Sequence, residues 1–386
     1  MKETIFKNYN NDFFTKKIWE GETVYYETIC FEEDENGKIS NAKLLYEPDE
    51  IIALRSADMK TSFIKGKDFE ISGRIVTRPK GSKLQFAPYS EFYIPLEEAA
   101  RKYPTTYDPN TSVVVRDDGR VLQRYQYAVF YTHKDGWKGV TRPKSQAQHI
   151  QKTISKLKNG ENLNIVFYGD SVTSGMHTSG NKETARSVDS GNILQMPCWG
   201  NVNYAPYVPA WAEMVAQKLK STFPNAKIKK TNCAAPSAQS GDNYGCKYID
   251  LVNEQNPDLV VIAFGANDTW MKPEDFKRNH KTMINAVLAK NPNCEFLLVS
   301  YMIPNTKINS FFKTRDNHLA QEIKYYELQK EYSNIAGIGV VPALSFWKDL
   351  LDLGKKPSEW TSSMDTHLND WGASIYAQLI INAFGI

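Results

Sequence analysis

The sequence predicts an α/β protein in two parts: a three-layer α/β/α domain on a doubly wound parallel sheet, preceded by a smaller β-sandwich. Three observations predict it. From about residue 145 to the end, apolar strand-like segments alternate with helical patterns, as in a parallel sheet covered by helices on both faces. Before that point, β-branched and aromatic segments dominate, with turn dipeptides between them. A length of 386 residues, 41% hydrophobic and 24% charged, exceeds what one average soluble domain needs.

Taken in order, VYYETICFEE (Val24 to Glu33) and KISNAKLLYE (Lys38 to Glu47) flank Asn36-Gly37 and predict a hairpin. SVVV (Ser112 to Val115) and VLQRYQYAVFY (Val121 to Tyr131) flank Asp118-Gly119 and predict a second. Further strands are expected at 68–77 and 83–93, and a brief helix at 96–102. Ile150, Ile154 and Leu157 fall at helical spacing before Gly160 at the stop position, which predicts a helix bridging the two parts. Strands are then expected at Leu163 to Tyr168, Ile228 to Asn232, Leu259 to Phe264, Phe296 to Tyr301 and Ile338 to Val341. Helical patterns separate them near 209–222, 244–254, 273–290 and 314–332, and a last helix covers about 370–384. The expected boundaries are 1–143 for a β-rich, jelly-roll-like accessory domain, 144–160 for the linking helix and 161–386 for the α/β/α domain.

Charge and hydropathy exclude several functions. The 47 basic and 44 acidic residues leave a net +3 with no long block of one sign, so neither nucleic acid nor an anionic membrane surface is expected as a partner. The longest nearly unbroken apolar run, Leu259 to Ala266, is far short of the roughly 18 residues that span a bilayer. MKETIFKNYNNDFF lacks the apolar core of a secretory signal, so the chain as given reads as cytoplasmic, or as secreted if a signal was removed. Cys30, Cys198, Cys233, Cys246 and Cys294 are scattered without metal-type spacing and read as reduced, buried thiols. No Gly-rich phosphate loop follows any strand, which disfavours nucleotide chemistry.

In a doubly wound sheet, functional groups gather at the carboxyl ends of the strands. Gly169-Asp170-Ser171 stands where the first strand of the second domain ends, with a serine hydroxyl to offer. Taken alone it is also ordinary turn or cap chemistry. A serine needs a base, usually histidine. His133, His149, His177, His280 and His318 read as surface or packing residues. His367 lies on a loop before the last helix beside Asp365, which is placed to orient its ring; the competing reading makes Asp365 and Asp370 helix-cap carboxylates next to an idle histidine. Asn267, in FGANDTW after another strand, has a side-chain N–H for an oxyanion, as does the Ser171 backbone. Three strand-end loops thus supply a hydroxyl, an acid-flanked imidazole and an amide donor.

The chain here resembles the SGNH or GDSL hydrolases. Their first block looks like Gly169 to Ser171, their third, Gly-x-Asn-Asp, like Gly265 to Asp268, and their last like Asp365 to Asn369 with Gly372. The resemblance spans about Leu163 to Ile386. It implies a flavodoxin-like α/β/α fold and ester hydrolysis without metal or other cofactor, with Ser171 as nucleophile, His367 as general base then acid, Asp365 as orienter and Asn267 in the oxyanion hole. The second block looks like TNCAAPSAQSG, where Ser237 matches the backbone donor and Gly241 is the later glycine. The sequence departs from the family in its Asp-x-His spacing, with Met364 three residues before His367. Either Asp365 reaches the ring by a different loop path or a main-chain carbonyl orients it.

A long insertion, about 179–208, carries Trp199, Tyr204 and Tyr207, and Trp270 follows Asn267. Such aromatic faces at strand-end loops suit a sugar ring, or else pin the loops to their own domain. The layout is similar to that of two-domain carbohydrate esterases, which points to an acetylated oligo- or polysaccharide as substrate. A carbohydrate O-acetyltransferase, or a carbohydrate-binding protein with an inactive site, are the competing readings. The sequence leaves the oligomeric state open.

Overall fold

The structure, a computed structural model, describes residues 9–95, 97–98, 113–115, 120–182, 184–189, 192–197, 203–268, 271–303, 324, 327–328, 330–363 and 367–386. The N-terminal region contains strands β1 (Thr23–Cys30), β2 (Ala42–Lys43), β3 (Glu50–Ser56), β4 (Glu70–Ser72), β5 (Ile75–Thr77), β6 (Tyr93–Pro95), β7 (Val113–Val115) and β8 (Gln126–Thr132). All pair antiparallel: β8 lies between β1 and β3, β5 lies between β2 and β4, and β6 pairs with β7.

Both expected hairpins need correction. Around Asn36-Gly37 the two arms share the Glu33–Ile39 bridge and the reciprocal bonds of Glu32 and Ser40, with Ser40 N–H donating to the Glu32 carbonyl and Glu32 N–H to the Ser40 hydroxyl, but they form no strand ladder. The chain then diverges, because β1 pairs along its length with β8, which is buried at six of its seven positions, and β2 pairs with β5. Val113–Val115 pairs with Tyr93–Pro95 instead of with the segment after Asp118-Gly119, and Val121–Tyr125 forms a 3-10 helix before β8 begins. The strand expected at 68–77 is two short ones, and 89–92 is a helical turn. Within the helix expected at 96–102, Glu97 and Glu98 are helical and the rest lies outside the described residues.

The second part begins with α1 (Gln151–Asn159), which ends on Gly160 in the left-handed conformation (φ 72°). Its strands are β9 (Asn162–Gly169), β10 (Thr184–Asp189), β11 (Asn192–Pro197), β12 (Lys227–Asn232), β13 (Leu259–Ala263), β14 (Glu295–Val299) and β15 (Ile338–Val341). Five of them form one parallel sheet in the order β12-β9-β13-β14-β15, so the strand order reverses between β9 and β13. That reversal opens a crevice at the strands' carboxyl ends. Its longer helices after α1, among the described residues, are α2 (Trp211–Thr222), α3 (Pro273–Lys290), α4 (Ala343–Asp352) and α5 (Asp370–Ala383), with single helical turns at Asp250–Asn253 and Pro357–Trp360. Apolar runs such as LVVIA in β13 and EFLLV in β14 are buried almost throughout, as strands covered on both faces must be. The sequence reading missed α4 and the β10–β11 hairpin, which lies inside the segment read as a loop insertion. Of the helix expected at 244–254, only Asp250–Asn253 forms an α-helix. Among the described residues, no helix is long and apolar enough to cross a membrane.

The two ends of the chain are joined by polar contacts as well as by core packing. The Gln378 side chain on α5 accepts from Ile18 N–H (3.0 Å) and donates to the Phe14 carbonyl (2.9 Å). Lys355, after α4, sits fully buried between Glu27 of β1 (2.9 Å) and Glu359 (3.2 Å) and donates to the carbonyls of Thr28 and Lys43.

Candidate active site

Gly169 ends β9 opposite Ala263 of β13, and the space there admits no side chain: a Cβ on Gly169 would stand 2.2 Å from the Ala263 carbonyl oxygen and 2.3 Å from Thr173 Oγ1. Thr173 Oγ1 donates to that same carbonyl (2.9 Å), which draws the turn after β9 onto β13. Ser171 is thereby set at the carboxyl edge of the sheet, beside the crevice. Asp170 is buried beneath it; Oδ1 accepts from Val172 N–H (3.0 Å) and Oδ2 from Ala266 N–H (3.1 Å), which ties the serine turn to the asparagine loop. Burial pushes the Asp170 carboxyl up to about 7 against the pull of those two donors, and neighbouring Asp268 adds to the rise.

The His367 Nε2 lies 3.0 Å from the Ser171 Oγ, within hydrogen-bond reach. His367 holds an unusual backbone, φ 50°, in the left-handed region where a non-glycine residue is strained. Its flanks hold it there: Ser362 N–H donates to the His367 carbonyl (2.9 Å), Thr361 bridges Leu368, and Asn369 N–H donates to the Trp360 carbonyl. Asn369 then caps α5 by accepting from Gly372 N–H (2.9 Å). Asp365 lies outside the described residues.

Asn267 follows β13 on the other side of the crevice. Its Nδ2 donates to the Ala238 carbonyl (3.0 Å), and its main-chain carbonyl accepts from the Gln239 side chain (2.9 Å), so both side chain and backbone of Asn267 are tied to the loop after β12. Ser237 opens that stretch with φ 61°, a conformation glycine adopts without strain, and its side chain is exposed. Asp268, pushed up to about 6 by burial, accepts from the Ser240 N–H and hydroxyl and closes the same loop pair. Of the expected aromatic contacts, Trp199 and Trp270 lie outside the described residues. Tyr204 is described, and its ring stacks under the Arg120 guanidinium, 4.5 Å from the ring centre.

Two residues escaped the sequence reading. His177, read there as surface or packing, is buried with its ring centre 4.7 Å from that of His367, edge to face. Its Nδ1 is 2.9 Å from the Ser362 hydroxyl, and burial, helped by Arg120, pushes its pKa down to about 4, so the ring is neutral near neutral pH. Its place six residues after Ser171 was the available signal. Arg120 comes from the N-terminal region and had no local signal at all.

Residues 167–375 match the GDSL-like lipase/acylhydrolase family. The chain belongs to that family. As a GDSL-like acylhydrolase it is a carboxylic ester hydrolase, and its parallel sheet with flanking helices is the fold expected of one. Among solved structures it is similar to a two-domain esterase active on acetylated mannans and co-crystallised with mannopentaose (20% identity, TM-score 0.43, 62% of this chain); the match covers 53% of that protein, about half its length. It is also similar to a lipase/acylhydrolase from Enterococcus faecalis (17% identity, TM-score 0.40, 57% of this chain and 93% of that one). A third is a catalytic mutant of an acetylxylan esterase from Geobacillus stearothermophilus (15%, TM-score 0.42, 58% and 94%). No curated protein matches the chain.

Proposed function

We propose that this acylhydrolase works through an acyl-enzyme on Ser171 and removes acetyl groups from carbohydrate. The observation that carries the reading is the 3.0 Å approach of His367 Nε2 to Ser171 Oγ at the sheet's carboxyl edge. In the first step the Ser171 oxygen attacks the ester carbonyl carbon while His367 Nε2 takes the hydroxyl proton. The tetrahedral intermediate places its negative charge on the former carbonyl oxygen, within the donors of the Ser171 and Ser237 backbones and the Asn267 side chain. One Asn267 amide hydrogen is spent on Ala238, which leaves the second for the oxyanion. The bond to the sugar oxygen breaks, and His367 returns its proton to that oxygen. Water then attacks the acetyl-serine by the same route, releasing acetic acid and restoring Ser171. Asp365 takes the role of orienting His367, and Trp199, Tyr204 and Trp270 that of contacting the sugar; the two-part layout and these aromatic loop residues support carbohydrate as the substrate class.

The test is acetate release from acetylated xylan, mannan and chitin-type oligosaccharides and from an aryl acetate, comparing wild type with Ser171→Ala. Wild type is expected to release acetate and the variant to lose on the order of 10³-fold or more in kcat. Equal rates would remove Ser171 as nucleophile. Release from the aryl acetate alone would keep the esterase and remove the carbohydrate.

A further inference from the structure

We propose that Arg120, contributed by the N-terminal region, is a positioning residue of the active site: it holds the Ser171 loop and the His367 loop in register. This rests on the reading of Ser171 and His367 as the catalytic pair.

Arg120 directly precedes the 3-10 helix Val121–Tyr125, yet its side chain is spent on the other part of the molecule. One terminal nitrogen donates to the His177 carbonyl at short range, and the other stands 3.5 Å from Asp370 Oδ2. The guanidinium plane covers the Tyr204 ring. Asp370 turns its remaining oxygen to accept from Ser179 N–H (2.8 Å), and Tyr204 N–H donates to the Ser179 carbonyl (2.9 Å). One buried cation therefore meets three segments: the loop that begins at Ser171, the start of α5 three residues beyond His367, and the segment bearing Tyr204.

The geometry bears on the reacting atoms through two short routes. Arg120 grips the backbone of His177, whose ring is the edge against which the His367 ring stands. It also fixes Asp370, and hence the chain immediately after His367, a residue whose left-handed backbone needs external support to persist. Stability alone is a poor account of this arrangement. The Arg120 and Asp370 side chains are 7% and 2% exposed, Arg120 Nε has no hydrogen-bond partner among the described residues, and desolvating such a pair commonly cancels what its attraction returns. The planar fork is what the place requires, because it spans a carbonyl, a carboxylate and a ring face at once, and a lysine cannot. Tyr26, also from the N-terminal region, has its hydroxyl pushed well above the ordinary range by burial and by the same Asp370 carboxylate. The N-terminal region is then part of the catalytic apparatus.

The experiment compares full-length wild type, Arg120→Ala and Arg120→Lys on an aryl acetate, with folding checked by near-UV circular dichroism. Arg120→Ala is expected to lose on the order of 10²-fold in kcat with KM held within about twofold, as small misplacements near a reacting pair do. Millimolar guanidinium, too dilute to denature, is expected to restore part of that kcat by refilling the vacated place. Arg120→Lys keeps the charge without the fork and is expected to fall by about tenfold. Wild-type kcat in a folded Arg120→Ala overturns the proposal, and so does a loss that guanidinium leaves untouched. Should Arg120→Ala fail to fold, Arg120→Lys decides: reduced kcat at unchanged KM supports the role, and wild-type kcat overturns it. Ser171→Ala run alongside separates the two layers, since full activity there removes the catalytic pair itself.

Discussion

Asp170 spends its two oxygens on two different loops, Oδ1 on Val172 N–H and Oδ2 on Ala266 N–H. An asparagine can accept at only one of those places and would turn an NH₂ toward the other. Asp170→Asn is therefore expected to orphan one buried N–H and lose about 1–3 kcal/mol in urea denaturation. Because Ala266 adjoins Asn267, kcat should fall with it. Unchanged stability would mean that the turn and the asparagine loop are held together by something else. Ser171, Asn267 and His367 stand out in the sequence because each sits in a short motif, and a motif is a local object; Ser171 and Asn267 follow strands β9 and β13 as expected, whereas His367 comes after two helices and just before α5 rather than at a strand end. Arg120 was not readable, and His177 only through its nearness to Ser171, because what gives them meaning is a carbonyl, a ring or a carboxylate that the fold brings from elsewhere in the chain.

Strands and loops show the same division. The central parallel strands were readable because burial on both faces writes β13 and β14 as nearly unbroken apolar runs, whereas edge strand β12, KIKKTN, is buried only at Ile228; Ile338–Val341 matches the expected bounds at both ends. The N-terminal hairpins failed because Asn-Gly favours a turn without naming the strand's other neighbour; β1 found β8, far along the chain. The loop after Ser171 carries a constraint of its own at Gly180. A Cβ there would lie 2.3 Å from the Tyr207 carbonyl oxygen and 2.4 Å from its carbon, atoms of backbone that cannot swing aside. Gly180→Ala is expected to cost about 1–3 kcal/mol as an overpacked contact, whereas Gly136→Ala, with open space around it, should stay within about 0.5 kcal/mol of wild type. Thermal denaturation of the pair checks this, and equal melting temperatures would contradict it.

At the scale of the whole molecule, four of the buried carboxyl and imidazole groups among the described residues set opposing responses to pH. Asp170 and Asp268, raised from 3.8 to about 7 and about 6, keep protons in the folded state that the unfolded chain releases. They make stability fall as pH rises from about 4 toward those values. His177 and His280, lowered from 6.5 to about 4, lack protons in the folded state that the unfolded chain still binds, so they make stability rise over about pH 4 to 6.5. The two pairs nearly cancel there. Asp268→Asn preserves an acceptor for Ser240 and removes one falling contribution of about 1.4 kcal/mol per pH unit. Urea denaturation of that variant should show stability climbing by about 2 kcal/mol more than wild type between about pH 4.5 and about pH 6. An unchanged slope would mean that Asp268 is ionised throughout.

The bonds between Gln378 and the backbone of Phe14 and Ile18 also bear on how the protein is made. Their partners stand 364 and 360 positions apart in the chain. At a ribosome's pace of about 5–20 residues per second, the early segment waits roughly 20–70 s before α5 exists to receive it. Lys355 and Arg120 impose similar delays on β1 and on the start of the 3-10 helix. During that interval the Phe14–Ile18 segment and β1 lack the cover that α5 gives them in the folded chain, and transiently exposed apolar surface of that kind is what holding chaperones recognise.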